Sequence, residues 1–221
     1  MTTKTSPLQK RPAAKPSARP YHKGNVAQDL LEVARRLLKT ERVEDITVRR
    51  LCREVGVTPG NFYNHFPTLE WLLLDLAADG FEAQQRLATR QMKGGRNQED
   101  AIVDITVAMV EFGHANPELF RLMFGQISNE IVRGHERFTT AARNGFGKLV
   151  EALYGEDLFR PDDVAWSHAN CTKAYALFAF AYGLARVISM EQITFPSGKK
   201  SERIEFVESL ARIFVRGVGR A

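Results

Sequence analysis

Apolar residues recur with helical spacing along most of the chain from residue 25 onward. In the segment 25–39 the apolar positions 26, 30, 34 and 37 lie on one helical face, and in 47–55 the positions 48, 51, 52 and 55 do the same. The same period and its breaks predict further helices over 59–66, 69 to about 92, 97 to about 115, 117–124, 127–154, 161–190 and 201–218. No segment shows the alternation that is typical of β-strands. We therefore predict an all-α protein.

The segment Ile46–Phe66 carries the most specific pattern in the sequence, two short helices joined by a tight turn. Thr47 is placed to cap the first helix, and Gly56 is placed to end it in the left-handed conformation. Thr58 followed by Pro59 is a capping residue with proline at the first helical position, so a second helix starts at once. This pattern predicts a helix-turn-helix motif, whose second helix enters the major groove of DNA.

The second helix presents two different sides. Phe62 and Phe66 fall on an apolar side, while the opposite side has small or hydrogen-bonding residues and no acid, namely Gly60, Asn61, Tyr63, Asn64 and His65. Asn61 and Asn64 are suited to pairing with base edges, and Pro59 offers an apolar surface to a thymine methyl group. Gly60 has no side chain, so the backbone there can approach DNA closely.

At these positions the chain resembles the TetR family of bacterial transcriptional repressors. The family pattern T-x-x-x-[LI]-A-x-x-A-G-V-[ST]-x-G-x-[LF]-Y-x-[HY]-F is followed almost position by position from 47 to 66, with Cys52 in place of a usual alanine. Two further departures are Arg42, where glycine is usual, and Leu69, where lysine is common. The resemblance implies that phosphates are contacted mainly by Thr47, Thr58, Tyr63 and His65, and that Arg49 reaches a base or a phosphate. We expect Arg53 to pair with Glu54 or Glu41 instead.

Charge is distributed unevenly along the chain. Residues 1–66 hold 13 Lys and Arg against 6 Asp and Glu, whereas the remaining residues hold 18 against 20, within a net charge of +5. Residues 1–24 contain four prolines, six basic residues and no acid, and we expect this arm to be disordered, or else to follow the phosphates or a minor groove. We predict three regions: this arm (1–24), a DNA-binding domain (25–78) and a larger helical domain (79–221).

The larger domain has two predicted tasks. Because one head covers about half a site, specific binding requires a second head, so we expect a homodimer on a palindromic double-stranded DNA operator. The candidate dimer contacts lie on the last two long helices: Ala174, Leu177, Ala181, Tyr182, Ala185, Val207, Leu210, Phe214 and Val218. The resemblance implies that a small apolar effector enters the domain and releases the DNA. The candidate ligand contacts are Phe112, His114, Phe120, Met123, Phe124, Asn170, Tyr175 and Phe178.

A weaker resemblance points to one subclass of the family. It is carried by Asn116–Phe124 and by 179–185, and the subclass is named for a Trp-His-Gly triplet, in whose place Ala181-Tyr182-Gly183 stands.

Other classes of protein are less well supported. The sequence has no Gly-rich phosphate loop, no G-x-S-x-G and no H-E-x-x-H, so we expect no enzyme, cofactor or metal site. Two cysteines inside helical patterns, no apolar leader and an apolar run of only twelve residues (174–185) favour a cytoplasmic protein without a membrane span. Two alternatives stay open: a helix-turn-helix adaptor that recruits a protein partner, and an enzyme or carrier with a degenerate head.

Overall fold

The computed structural model describes residues 25–92, 97–125, 127, 129–154, 172–195 and 197–218. The predicted arm 1–24, the start of the predicted helix 161–190 with Asn170, and the side chain of Val218 lie outside the described residues.

The prediction of an all-α fold is confirmed, since the described ranges contain helices and no β-strand. They are α1 (Val26–Leu37), a 3-10 turn (Val43–Asp45), α2 (Val48–Val55), α3 (Pro59–Tyr63), α4 (Leu69–Gln91), α5 (Gln98–Ala115), α6 (Pro117–Met123), α7 (Asn129–Gly134), α8 (Glu136–Tyr154), α9 (Thr172–Ser189) and α10 (Lys200–Val218).

Two predicted helices were wrong in their bounds. The helix predicted over 127–154 is divided into α7 and α8 at His135, whose ring Nδ1 accepts a hydrogen bond from the Phe138 N–H at 3.2 Å and so caps α8. The helix predicted over 59–66 ends at Tyr63, because Phe66 precedes Pro67, and a residue before proline is disfavoured in the helical conformation.

A small N-terminal domain, the head, is formed by α1, α2, α3 and the start of α4 around fully buried apolar side chains, among them Leu30, Ala34, Leu51, Phe62 and Leu72. The long helix α4 continues into a second helical layer, the body, where it packs against α5, α6 and α8. Within the body α5 is central, since it contacts α4, α8, α9 and α10. The head is therefore joined to the body by one continuous helix.

None of the helices in the described ranges combines the length and the apolar character that crossing a lipid bilayer requires.

Candidate nucleic-acid interface and apolar cavity

The helix-turn-helix is built by local hydrogen bonds that match the predicted caps. Thr47 Oγ1 accepts the Arg50 N–H at 3.2 Å at the start of α2, and Thr58 Oγ1 accepts the Asn61 N–H at 3.3 Å at the start of α3. Gly56 ends α2 with a φ of +83°, in the left-handed region that favours glycine. These contacts satisfy N–H groups that every helix start leaves free, so the turn holds α3 in a defined direction.

Buried contacts lock α3 onto the head. The Cys52 thiol is buried and donates a hydrogen bond to the Thr58 carbonyl at 3.6 Å, and burial raises the pKa of this thiol. Phe62 and Phe66 are also buried, with ring centroids 5.6 Å apart. One side of α3 is therefore occupied by the core of the head, which leaves only its opposite side for a partner.

The residues predicted to contact DNA lie on the surface of the head. Eight of the nine are exposed, namely Thr47, Arg49, Thr58, Pro59, Gly60, Tyr63, Asn64 and His65, and Asn61 is half-buried. The Tyr63 ring packs edge-on against Phe62 at 5.3 Å, although 56% of the residue remains exposed. Its orientation is thus set by the core while its hydroxyl end is available to a phosphate.

Two acids of the head are paired by the half-buried Arg50. Arg50 lies 3.1 Å from Glu41 and 3.2 Å from Glu54, and Glu54 also lies 3.0 Å from Arg36. The expected pairing of Arg53 with Glu41 or Glu54 was therefore wrong, since Arg50 takes that place. Within the described part of the chain, exposed Arg49 and Arg53 have no ion-pair partner. Arg53 is thus a further candidate phosphate contact on α2.

The body contains an apolar cavity of about 260 Å³ between α4, α5, α6, α8 and α9. Its described walls are Phe81, Gln84, Met109, Met123, Phe124, Phe138, Ala142, Gly145, Phe146, Leu149 and Phe178. Three residues predicted as ligand contacts, Met123, Phe124 and Phe178, are among them. Gly145 lets the Phe81 ring approach α8 closely. A Cβ at this position would lie only 3.2 Å from Cδ1 of Phe81, which is tighter than an ordinary van der Waals contact.

Other predicted ligand contacts lie elsewhere. Phe112 and Phe120 are buried but are not part of the wall, and the Phe120 ring packs 4.9 Å from that of Phe124. His114 is exposed, so the expectation that it orients a ligand inside the body is not met, because its helix turns this position to solvent. Tyr175 is 44% exposed and contacts Phe146 at 4.8 Å, outside the wall.

Two groups of ion pairs connect the cavity walls to the head. The first lies on α6: Arg121 bonds both carboxylate oxygens of Glu44 and also bonds Glu118, and Glu118 accepts the Val43 N–H at 2.9 Å. The hydrogen bond from Arg121 lowers the pKa of Glu44 to about 2. Glu118 and Arg121 of α6 thus bind the 3-10 turn next to the head, while Met123 of the same helix lines the cavity.

The second group lies on α8. Arg137 reaches three acids on α4, at 3.2 Å from Asp75, 2.5 Å from Asp79 and 2.9 Å from Glu82. Asp79 also bonds Arg35 on α1, so the network extends into the head. Arg137 is followed on α8 by five cavity-wall residues, so one helix carries both part of the cavity wall and the ion pairs to α4.

The predicted dimer residues divide into two groups. Ala174, Leu177, Ala181, Ala185 and Val207 are fully buried within a single chain, and α5 packs over the helices that carry them. These five therefore belong to the core of one chain. Tyr182, Leu210 and Phe214 are half-buried.

Neighbouring positions on the same two helices face outward. Ala176 and Ala179 on α9 are exposed, and Ile213 on α10 is 66% exposed. Sequence periodicity located the helices that carry free apolar surface, although it did not separate the outer face from the inner one.

Comparisons with known proteins agree with this architecture. Residues 30–76 match the family described as bacterial regulatory proteins, tetR family. The nucleoid occlusion factor SlmA of Glaesserella parasuis serovar 5 (strain SH0165) is 29% identical over 99 residues, which are 44% of this chain and 49% of that protein. The match thus spans about half the length of this curated relative.

Solved structures extend the likeness to the body. A protein of unknown function from Rhodococcus sp. RHA1 is 24% identical, with a TM-score of 0.68 over 90% of this chain and 98% of that one. PfmR, a TetR family transcriptional regulator from Thermus thermophilus, is 15% identical, with a TM-score of 0.52 over 85% of this chain and 94% of that one. The two structures establish the fold, and residues 30–76, which form most of the head, match the tetR family of bacterial regulatory proteins.

Proposed function

We propose that this protein is a transcriptional regulator of the tetR family, a cytoplasmic homodimeric repressor that binds a palindromic operator through α2 and α3 and is released by a small apolar effector. One observation carries the proposal. Two of the helices that line the cavity also carry ion pairs towards the head. Arg121 on α6 bonds Glu44 in the 3-10 turn, and Arg137 on α8 bonds Asp79 on α4, which in turn bonds Arg35 on α1. A molecule in the cavity and the position of the head are therefore mechanically connected.

The DNA-reading part of the proposal rests on the exposed side of the head. Asn64 is an exposed amide with both a donor and an acceptor, the combination that pairs with an adenine edge. Tyr63 and the arginines of α2 supply phosphate contacts, which orient the protein without reading sequence. Specificity then depends on Asn61, Asn64 and the close approach that Gly60 allows.

The release step follows from the contacts of α6. Met123 and Phe124 lie against the cavity, and a ligand that displaces them shifts the helix that carries Glu118 and Arg121. Such a ligand changes DNA binding only if it binds one arrangement of the heads more tightly than the other. In this proposal, the ion pairs of Arg121 and Arg137 are the contacts that differ between the two arrangements of the heads.

Dimerisation is supported by apolar surface that one chain leaves uncovered. Ile213, Ala176 and Ala179 lie on the outer faces of α9 and α10. Small side chains allow two helices to approach closely, as in a bundle of four helices across a dyad. Two heads held about 34 Å apart, or a multiple of that spacing, read two half-sites on one side of the duplex.

The adaptor alternative is less well supported. A body that recruits a protein partner has no need of an internal space, and the 260 Å³ cavity counts against a fully packed body. The Trp-His-Gly subclass remains a prediction.

The proposal is tested by selecting bound duplexes from a random pool with the full chain. We expect enrichment of a palindrome, and a loss of about 1–3 kcal/mol on the selected site for Asn64→Ala, with relaxed preference at one base pair. Gln192→Ala, which removes an exposed amide in the body, is the matched control and should bind like the wild type. Failure to enrich any sequence would contradict the proposal, and equal loss on every sequence would assign Asn64 to a phosphate.

A further inference from the structure

The cavity wall contains a single polar side chain among its described residues. Gln84 on α4 is only 8% exposed and lines the cavity, and the other ten wall residues are apolar. Within the described part of the chain its amide makes no hydrogen bond, and its polar atoms are not fully enclosed, so the amide is accessible from the cavity. An amide that faces an accessible space and lacks a protein partner is paired there by water or by a ligand. The space in front of Gln84 is therefore where such a partner would lie.

The chemistry of the other wall residues limits which ligands can occupy the space in front of Gln84. No charged residue is found among the described residues of the wall, so an ionised ligand would be buried without a counter-charge, at a high desolvation cost. Five phenylalanine rings surround the space. The ring centroid of Phe81 lies 5.2 Å from that of Phe124 and 5.8 Å from that of Phe138, both in edge-to-face arrangements. Ring faces and edges in this geometry favour an aromatic ligand.

The volume limits the size of the ligand. An apolar cavity of about 150 Å³ accepts benzene. The present cavity, at about 260 Å³, is larger but lies below the range of about 300–1,000 Å³ that holds drug-sized molecules. It therefore fits about two fused rings.

We infer that the ligand of this cavity is an uncharged bicyclic aromatic molecule with one hydroxyl or carbonyl group, and that this group pairs with Gln84. The amide offers both donors and an acceptor, so it satisfies either group. The inference deepens the proposed function, because it rests on that function for the ligand's role as effector. The binding itself is independent of DNA.

The test measures binding of two isosteric probes to the full chain without DNA. The fluorescence of 2-naphthol reports its own binding, and 2-methylnaphthalene is measured by competition with it. In the wild type, we expect 2-naphthol to bind about five- to tenfold more tightly, the effect of one net hydrogen bond. In Gln84→Met, which is apolar and similar in shape, the preference should disappear. Gln85→Met, next along α4, should keep it, since the Gln85 amide bonds the Asn144 carbonyl instead.

Two results would overturn the inference: no binding of either probe, or an equal preference in the wild type and Gln84→Met. A cooperative melting transition for Gln84→Met near that of the wild type shows that the variant is folded, because the substitution breaks no hydrogen bond within the described part of the chain. If the preference depends on Gln84 but 2-naphthol leaves operator binding unchanged, the inference stands and the proposed release fails. The two proposals are thus tested separately.

Discussion

Two glycines of the helix-turn-helix should respond to alanine in opposite ways. A Cβ at Gly60 would meet only Thr58 Oγ1, at 3.9 Å, so the free protein has room for it. Alanine is favoured over glycine in a helix by about 0.5–1 kcal/mol, so Gly60→Ala should leave the head as stable as before or slightly more stable. On DNA the added methyl group occupies the gap between backbone and base edges. Overpacking of this kind costs about 1–3 kcal/mol, or roughly 5–150-fold in operator affinity.

Gly56 provides the contrast. No heavy atom lies within 4 Å of a Cβ at this position, so space does not limit the substitution. The backbone angle limits it instead, because a φ of +83° is left-handed and this conformation costs an L-residue about 1–2 kcal/mol. Gly56→Ala should therefore destabilise the head by about that amount, through the backbone alone.

Urea denaturation gives the stability of each variant, and fluorescence anisotropy with the selected operator gives its affinity. The structure predicts that Gly60→Ala loses affinity without losing stability, whereas Gly56→Ala loses stability. Wild-type operator affinity in Gly60→Ala would refute the close approach of α3 to DNA.

Three further predictions concern the body and its contact with the head. Leu149→Ala removes a buried wall residue and should cost about 2–5 kcal/mol in urea denaturation, and a smaller loss would show that the cavity wall collapses around it. The pKa of Glu44 is lowered from 4.5 to about 2 by Arg121, so this pair's contribution to stability is complete above about pH 5 and is lost as the pH falls towards 2. Glu44→Gln should therefore flatten the dependence of melting temperature on pH in that interval. An unchanged slope would show that the Glu44–Arg121 pair does not contribute to stability. Ile213→Glu should convert a dimer into monomers in sedimentation, unlike Tyr154→Glu on α8, and a dimer in both variants would place the interface elsewhere.

The helix-turn-helix was predictable because its determinants are local. A capping threonine, a proline at the first helical position and a left-handed glycine act over three or four residues, so the sequence shows them directly. The same reasoning explains the error at His135. A histidine that caps a helix through Nδ1 is not among the usual capping residues, and the periodicity runs on across the break.

Tertiary features left no such local sign. The Arg121–Glu44 pair joins residues 77 positions apart, and nothing in either segment indicates the other. Burial of Ala174 and Ala181 within one chain depends on α5, which packs across the helix from elsewhere in the sequence. Gln84 was not predicted as a cavity residue, because helical periodicity identifies apolar positions and a single amide on a long helix has the pattern of a solvent-facing residue.

The most direct test of the account is thermodynamic linkage between the cavity and the operator. Operator affinity is measured with and without saturating 2-naphthol, and 2-naphthol affinity is measured with and without operator. The account predicts that each ligand weakens the other by the same factor, about 5–150-fold, because coupling between two sites is reciprocal. Operator affinity that stays unchanged at saturating 2-naphthol would contradict it.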